Sequence, residues 1–405
     1  MSGLVMRFLW IIGLLISQAE TRGDDPAVRP NQTNLISPWV KVAPPAPITR
    51  GGALASSYLQ SASNSTGPFV TDVGGTAASA NTPVAPALNF ASLDPSVFAW
   101  PTQRLRRSMA PVKDFIEWFG GGTLRPLSQG TDPVYELVSG RGRTRCQVGS
   151  TRANLLGVHV ALSQVPQIQG GELWMSLSDL QRTVHPLIWG SNVITLKGSR
   201  IVVIDPGHGG RDVGASSADG RGYEKNLTLD WALRLKSILE QQGWRVGLTR
   251  TNDTDLSLAE RVYYAEAVQA DLFVSLHFNS APPKAGRQGL ETYALTPPGM
   301  MSTVVRDSED IPSLRFPNNR HDEANLLLAW EIQRAVLTAA GSVDRGVQRA
   351  RFMGVLRGQD RPAVLVEGGY LSHPDEARKI ADPSYRQRLA EGVGNALKHW
   401  LTPAP

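Results

Sequence analysis

Residues 201–210 read Ile-Val-Val-Ile-Asp-Pro-Gly-His-Gly-Gly and give the clearest indication of the fold. The branched apolar run 201–204 is typical of a strand that is covered on both faces, as in a parallel sheet. The glycines around His208 free the backbone to turn sharply and leave the imidazole little shielded. We therefore predict a buried strand with a histidine just past its carboxyl end.

The remainder of the C-terminal half alternates helical and strand patterns. Helices are predicted over 226–242, 257–269, 322–339 and 384–401, and strands over 244–249, 272–276, 291–295 and 363–366. Strands that alternate with helices indicate an α/β fold. We expect one domain over residues 198–402, built on a single twisted, mostly parallel sheet flanked by helices.

The N-terminal region has a different composition. Arg7, the apolar run 8–16 and Ser-Gln-Ala at 17–19 are typical of a secretory signal. We predict a cleaved signal peptide over 1–19, with an uncleaved anchor as the alternative. The protein is then exported, to the periplasm or the cell exterior. Residues 20–105, rich in Pro, Ala and Ser without a sustained period, are predicted to be a disordered linker.

A small α+β module is predicted over residues 110–192. Its pattern indicates a helix over 112–119 and strands over 134–138 and 155–162. The stretch 173–188 resembles copper amine oxidase N-terminal-like modules appended to bacterial wall enzymes, and that resemblance implies a wall-binding role.

Charge and cysteine content exclude several classes of protein. The chain of 405 residues carries a net charge of +5, which suits anionic surroundings, and we expect no nucleic-acid partner. Its single cysteine, Cys146, excludes a disulfide scaffold and a structural thiolate zinc site.

Arg141, Arg143 and Arg145 would share one face of a strand. A face that binds an anionic polymer and a solvated edge strand explain this stripe equally well.

Two further strand ends carry polar residues. His277 follows the strand 272–276, and Glu367 follows the strand 363–366 and precedes two glycines. Ligands of α/β sheets gather at the carboxyl ends of the strands, so we expect both residues to lie near His208. Either histidine alone would more often be a surface or core residue, but Glu367 would be a half-buried charge.

Glu224 is the fourth polar residue of this set. It stands at the start of a predicted helix, where the helix dipole alone favours an acidic residue. Two histidines and two glutamates at one sheet edge, however, match a catalytic zinc site. Such a site has three nitrogen or oxygen ligands, an open position and a separate base. We therefore expect a single zinc ion in this domain.

Four ordered motifs within 201–400 resemble the zinc-dependent N-acetylmuramoyl-L-alanine amidases, bacterial cell-wall hydrolases with an amidase type 3 catalytic domain. The motifs are VVIDPGHGGRDVGA, YEKNLTLDWALRLKSIL, ADLFVSLHFN and PAVLVEGGYLSH. The resemblance implies that His208, Glu224 and His277 are the zinc ligands and that Glu367 is the catalytic glutamate. Supporting roles are expected for further residues in matching segments, namely Asp205, Arg250 and Asn279.

The resemblance implies an exported peptidoglycan hydrolase that cleaves the amide bond between N-acetylmuramic acid and L-alanine. Water activated by zinc would attack the amide, with Glu367 as general base. The alternatives are a zinc hydrolase of another amide and a noncatalytic wall-binding or regulatory protein on an amidase scaffold. Retention of Glu367 argues against the noncatalytic alternative, because a binding protein does not need the base. Structural roles are expected for His159, His185, His321, His373 and His399.

A long insertion follows the predicted strand 291–295. Residues 297–317 contain prolines, methionines and the acidic residues Asp307, Glu309 and Asp310. Loops of this length in compact domains are usually functional or disordered. In some members of the family that the chain resembles, such a segment blocks the metal until an activator protein removes it. The alternative is that 297–317 forms a wall of the substrate groove.

Overall fold

The computed structural model describes residues 108–400 except 120, 191–193, 195, 197, 221, 283–285 and 307–309. All of them lie within one compact unit. The predicted signal peptide over 1–19 and linker over 20–105 fall outside the described residues. Within the described residues, no helix has the length and apolar character needed to cross a membrane.

The N-terminal part contains short strands around one amphipathic helix. The strands are β1 Met109–Pro111, β2 Thr123–Pro126, β3 Val134–Ser139, β4 Gly142–Gln147, β5 Arg152–Leu155, β6 Val158–Ala161, β7 Gln167–Gln169 and β8 Glu172–Ser176. The helical segments are α1 Val112–Phe119, α2 Leu177–Asp179, a π-helical turn Leu180–Val184 and α3 His185–Ile188. Strands β1, β8 and β7 form a separate small sheet.

One predicted strand of this part is wrong. The apolar stretch 155–162 is not a single strand but includes the tight turn of a hairpin between β5 and β6. Leu156 and Gly157 both have positive φ, 55° and 93°. Two such residues in succession are the requirement of the two-residue turn that joins antiparallel strands with their natural twist.

The C-terminal part contains the predicted alternation of strands and helices. The strands are β9 Ile201–Pro206, β10 Arg245–Leu248, β11 Leu272–Asn279, β12 Leu290–Ala294, β13 Asp344–Arg349 and β14 Ala363–Tyr370. The helices are α4 Glu224–Gln241, α5 Leu258–Ala267, α6 Asp322–Ala340, α7 Gly354–Arg357, α8 Pro374–Ala381 and α9 Pro383–Lys398, with a 3-10 turn over Pro317–His321 before α6.

The predicted α/β class with a mostly parallel sheet flanked by helices is confirmed. The C-terminal strands lie in the order β10-β9-β11-β14-β12-β13, and only the contact between β12 and β14 is antiparallel. Every residue of β9 is buried. Its alternate side chains enter two hydrophobic clusters, Val202 and Ile204 on one face and Ile201 and Val203 on the other. Strand β9 is thus covered on both faces, as its sequence predicts.

The sheet continues from the C-terminal part into the N-terminal part. Strand β13 pairs with β6 in parallel, with Val347 opposite Val160, and β5, β4, β3 and β2 follow. Eleven of the described strands thus form one sheet. The carboxylate of Asp344 accepts a hydrogen bond from the backbone N–H of His159 at 2.8 Å. The backbones are close here, since a Cβ on Gly346 would lie 2.6 Å from the carbonyl oxygen of His159. The division into 110–192 and 198–402 stays a prediction, and one sheet runs across it.

The predicted arginine stripe is only partly present on β4. Arg143 and Arg145 share its exposed face, and together with Arg125 of β2 they form ion pairs with Glu136 of β3. Arg141 instead lies in the tight turn before β4 and donates to the carbonyl oxygen of Leu187 at 3.1 Å. The turn between β3 and β4 removes Arg141 from the strand, so it does not join the stripe.

Candidate metal centre

Three elements at the carboxyl edge of the sheet carry the predicted metal-binding residues. His208 lies two residues past β9 with a left-handed backbone, φ 61°, and Glu224 is the first residue of α4. The sequence predicts that His277 follows its strand. In the structure His277 lies inside the strand, because β11 continues to Asn279. The structure therefore brings all three side chains to one edge.

The three side chains form a compact group. One ligand atom from each residue lies within 4.8 Å of the others. His208 Nε2 is 3.1 Å from Glu224 Oε2, and His277 Nδ1 is 2.9 Å from Glu224 Oε1. Glu224 is buried and the two imidazoles are half-buried. Two imidazole nitrogens and one carboxylate oxygen in this arrangement are a donor set that suits zinc.

Backbone groups and a second carboxylate orient this group. Glu224 accepts hydrogen bonds from the backbone N–H groups of Ala215 at 2.9 Å and Phe278 at 3.0 Å. His208 Nδ1 lies 2.8 Å from Asp212 Oδ2, so a proton on Nδ1 leaves Nε2 to face Glu224. Metal-binding histidines commonly carry such a carboxylate partner. Sequence reasoning missed Asp212, whose only signal is its position four residues after His208.

Two glycines are required by the close packing of the group. A Cβ on Gly207 would lie 2.4 Å from His277 Nε2, and a Cβ on Gly214 would lie 2.6 Å from Glu224 Oε2. Contacts of this length are sterically forbidden, so neither position can carry a side chain without moving a member of the group.

Glu367 lies beside this group on the neighbouring strand. It is the register partner of His277, and register partners project from the same face of a sheet. Its side chain is buried, and within the described part of the chain Oε2 has no hydrogen-bond partner. Burial raises the pKa of Glu367 well above its usual range, and the negative charges of Glu224 and Glu291 raise it further.

Glu291 is a second buried carboxylate that sequence reasoning missed. It is the register partner of Glu367 across the antiparallel pair β12 and β14. It accepts hydrogen bonds from the hydroxyls of Tyr293 at 2.7 Å and Tyr370 at 3.1 Å, and from the guanidinium of Arg345. The available signal was a glutamate at the start of a predicted strand, directly after Leu290, where a buried charge needs several donors.

The three residues with predicted supporting roles lie around the group. Asp205 accepts from Thr249 at 2.6 Å, Arg261 at 2.6 Å and Ser275 at 2.7 Å. Arg250 donates to the carbonyl oxygens of Pro206 at 3.0 Å and Gly207 at 2.8 Å, and so fixes the turn that carries His208. Asn279 donates to Glu291 at 3.3 Å.

The other histidines lie in structural settings. His159 pairs with Asp344 at 2.9 Å, and His321 lies 3.2 Å from Asp360. His185 packs its ring against Phe119, with the centroids 4.4 Å apart. His373 caps α8 by accepting from the backbone N–H of Asp375, and His399 is the residue that ends α9.

The described part of the insertion forms hydrogen bonds and an ion pair with Arg351, which lies outside the insertion. Arg351 donates to the carbonyl oxygen of Pro297 at 2.8 Å and pairs with Asp310 at 2.5 Å. Asp310 also accepts from the backbone N–H of Ser302 at 2.7 Å. Asp310 is thus held by Arg351 and Ser302 rather than by the histidine group, whereas Asp307 and Glu309 fall outside the described residues. The groove wall, the metal-blocking segment and the activator protein all stay predictions.

Comparison with known proteins finds relatives that are similar in sequence to the C-terminal half of the chain. The family model for N-acetylmuramoyl-L-alanine amidase matches residues 202–399. The "Probable cell wall amidase LytH" of Staphylococcus epidermidis is 33% identical over 208 residues, which are 51% of this chain and 60% of that protein. The N-acetylmuramoyl-L-alanine amidase CwlM of Bacillus licheniformis is 35% identical over 198 residues, 48% of this chain and 66% of the relative.

Solved structures include similar chains. The catalytic domain of CwlV, an N-acetylmuramoyl-L-alanine amidase from Bacillus (Paenibacillus) polymyxa, is 34% identical, with a TM-score of 0.41. The match covers 50% of this chain and 97% of that domain. The family model and the sequence identities of the curated relatives together show that the chain belongs to the N-acetylmuramoyl-L-alanine amidase family.

Proposed function

We propose that this protein is an exported, zinc-dependent peptidoglycan amidase that cleaves the bond between N-acetylmuramic acid and L-alanine. The observation that carries the proposal is the compact group of His208, Glu224 and His277 with the buried carboxylate of Glu367 beside it. Family membership supports the amidase reaction, and the net charge of +5 suits an anionic wall.

In this proposal His208 Nε2, His277 Nδ1 and a carboxylate oxygen of Glu224 hold the zinc ion. When bound there, zinc supplies Lewis-acid chemistry that acidifies water and polarises a carbonyl group. Asp212 keeps the imidazole of His208 in the tautomer that presents Nε2. The backbone N–H groups of Ala215 and Phe278 hold the carboxylate of Glu224 in place.

Glu367 would act as the general base and then as the general acid of the reaction. Its Oε2, which lacks a partner in the described structure, would take a proton from the attacking water and return it to the departing amine. The raised pKa of Glu367, due first to burial, suits a group that must both accept and release a proton. The neighbouring Glu291, held by two tyrosine hydroxyls and Arg345, would act as the positioning residue for Glu367.

The regions before the candidate catalytic region would bring it to the peptidoglycan wall. A signal peptide over 1–19 would export the protein, and the linker over 20–105 would let the folded part reach the wall. The module predicted over 110–192 extends the same sheet as the candidate catalytic region. Its exposed Arg125, Arg143 and Arg145 would favour an anionic surface.

The experiment is a digestion of purified peptidoglycan with the purified protein, followed by mass analysis of the soluble products. The proposal expects stem peptides with a free N-terminal alanine and glycan strands with free lactyl carboxyl groups. Glu367→Gln serves as the matched inactive control, because it keeps the size of the side chain and removes its basicity. New reducing sugar ends, or new termini inside the stem peptide, would instead assign a glycosidase or endopeptidase.

A further inference from the structure

The sheet face that carries Glu367 extends past the proposed catalytic site. Every second residue along a strand returns to the same face. Tyr293, two residues after Glu291, and Leu365, two residues before Glu367, therefore lie on this face, and they are register partners. Both side chains are buried. The surface that a substrate would meet next to Glu367 must therefore be built on top of this pair.

Val304, a described residue of the insertion over 297–317, lies in that layer. The backbone N–H of Val304 donates to the carbonyl oxygen of Arg349 at 3.3 Å, which fixes the insertion against the end of β13. Val304 and Phe352 pack against the buried cluster that contains Tyr293 and Leu365. This part of the insertion is thus seated on the face that carries Glu367.

Arg306 projects from this seated segment. Its guanidinium carbon lies 4.6 Å from the centre of the Phe352 ring, a distance at which the ring face attracts a cation. The residue is exposed. A cation therefore lies on the exposed side of the segment that is seated on the face carrying Glu367.

The chemistry of the proposed substrate indicates what this cation binds. The lactyl carboxyl group of the muramoyl unit is consumed in the scissile amide, and the free carboxylates of peptidoglycan belong to the stem peptide. A guanidinium offers two parallel N–H donors that match a carboxylate.

We propose that Arg306, held over Phe352, binds a carboxylate of the stem peptide on the leaving-amine side of the scissile bond. The recognised substrate is then an anionic peptide joined to the glycan through its N terminus. The proposal rests on the amidase function proposed above and deepens it, because it assigns 303–306 of the insertion to the substrate groove.

The test uses two synthetic muropeptides that differ at one position, the stem-peptide carboxyl group nearest the alanine, which is free in one and amidated in the other. The purified full chain and Arg306→Gln are assayed on both. For Arg306→Gln we expect KM for the free acid to rise about 10- to 100-fold, as for loss of a charged hydrogen bond, and kcat to stay unchanged. KM for the amidated substrate should change less than about twofold, and Arg306→Lys should recover part of the difference.

The matched control is Arg315→Gln. Arg315 is an exposed arginine of the same insertion, and its substitution should leave both KM values unchanged. Equal changes for the two substrates, or no change for either, would overturn the assignment of Arg306. A fall in kcat with a shifted pH profile on both substrates would overturn it too, since Arg306 would then act on Glu367 rather than on the substrate. Failure of the unmodified protein to cleave either substrate overturns the amidase function itself.

Discussion

Glu367 and His277 are register partners on the neighbouring parallel strands β14 and β11, so their side chains lie side by side on one face of the sheet. His277 Nδ1 is 2.9 Å from the carboxylate of Glu224, whereas within the described structure Oε2 of Glu367 makes no hydrogen bond. The carboxylate of Glu224 is therefore fixed within the group that we propose to bind zinc, whereas Glu367 has the oxygen that we propose to exchange a proton.

Glu367→Gln should abolish hydrolysis without loss of the metal. An amide cannot take the proton of the attacking water, and removal of a general base typically lowers turnover about 10²- to 10⁴-fold. Peptide release from purified peptidoglycan measures the activity, and elemental analysis of the same sample measures the zinc. Turnover close to that of the unmodified protein would exclude Glu367 as the base.

Asp212→Asn should weaken zinc binding while leaving the fold intact. Asp212 is exposed, and its carboxylate orients the imidazole of His208. Loss of such a partner typically lowers metal affinity about 10- to 100-fold. Competition with a chromophoric chelator measures the affinity, and Asp219→Asn on the same loop is the control. Equal affinities for Asp212→Asn and the control would show that the contact with His208 does not matter to the metal.

Glu291→Gln should destabilise the protein. The amide would turn an N–H group towards donors that now point at a carboxylate, namely Tyr293, Tyr370 and Arg345. Loss of hydrogen bonds to a buried charge costs about 2–3 kcal/mol of the free energy of unfolding. Urea denaturation measures this value. Glu331→Gln, which breaks an ion pair with Arg334 at the surface of α6, should cost less than about 1 kcal/mol. A smaller loss for Glu291→Gln than for this control would contradict the role of Glu291.

The pH dependence of stability should reveal the cluster around Glu136. Hydrogen bonds from Arg125 and Arg145 lower the pKa of Glu136 to about 2. A carboxylate with a lowered pKa stabilises the fold fully above its unfolded value of about 4.3 and loses this effect as pH falls towards the folded value. The Tm of Glu136→Gln should therefore be below that of the unmodified protein at pH 6, and the gap should close between about pH 4.5 and pH 2.

The matched control for that measurement is Glu117→Gln, since Glu117 forms only an exposed pair with Lys113 at 3.9 Å. Its Tm should follow that of the unmodified protein across the whole range. A Tm gap for Glu136→Gln that is constant with pH, or that widens in acid, would contradict the ionic account of the cluster.

The order of strands and helices and the four polar residues at the sheet edge could be predicted from the sequence. Apolar runs mark buried strands, and the carboxyl ends of parallel strands meet at one edge, so His208 and Glu367 could be placed together without coordinates. The position of Glu224 alone did not indicate a site, because the helix dipole already favours an acidic residue at a helix start.

Contacts between distant segments could not be predicted in the same way. Strand β13, Asp344–Arg349, has only one apolar residue and a glycine with φ 95°, so its pattern does not indicate a strand, although it joins the two parts of the sheet. Glu291 was hidden for a related reason. Two of the donors to its buried carboxylate, Tyr370 and Arg345, are more than fifty residues away along the chain.

The central claim is that the group of His208, Glu224 and His277 binds a zinc ion on which amide cleavage depends. The most direct measurement is a titration of the metal-stripped protein with zinc, in which release of peptides with N-terminal alanine from purified peptidoglycan is followed at each step. The account predicts no release before zinc is added and a rise to a plateau at one zinc per chain, which His277→Ala should not reach. Release at full rate by the metal-stripped protein would contradict the account.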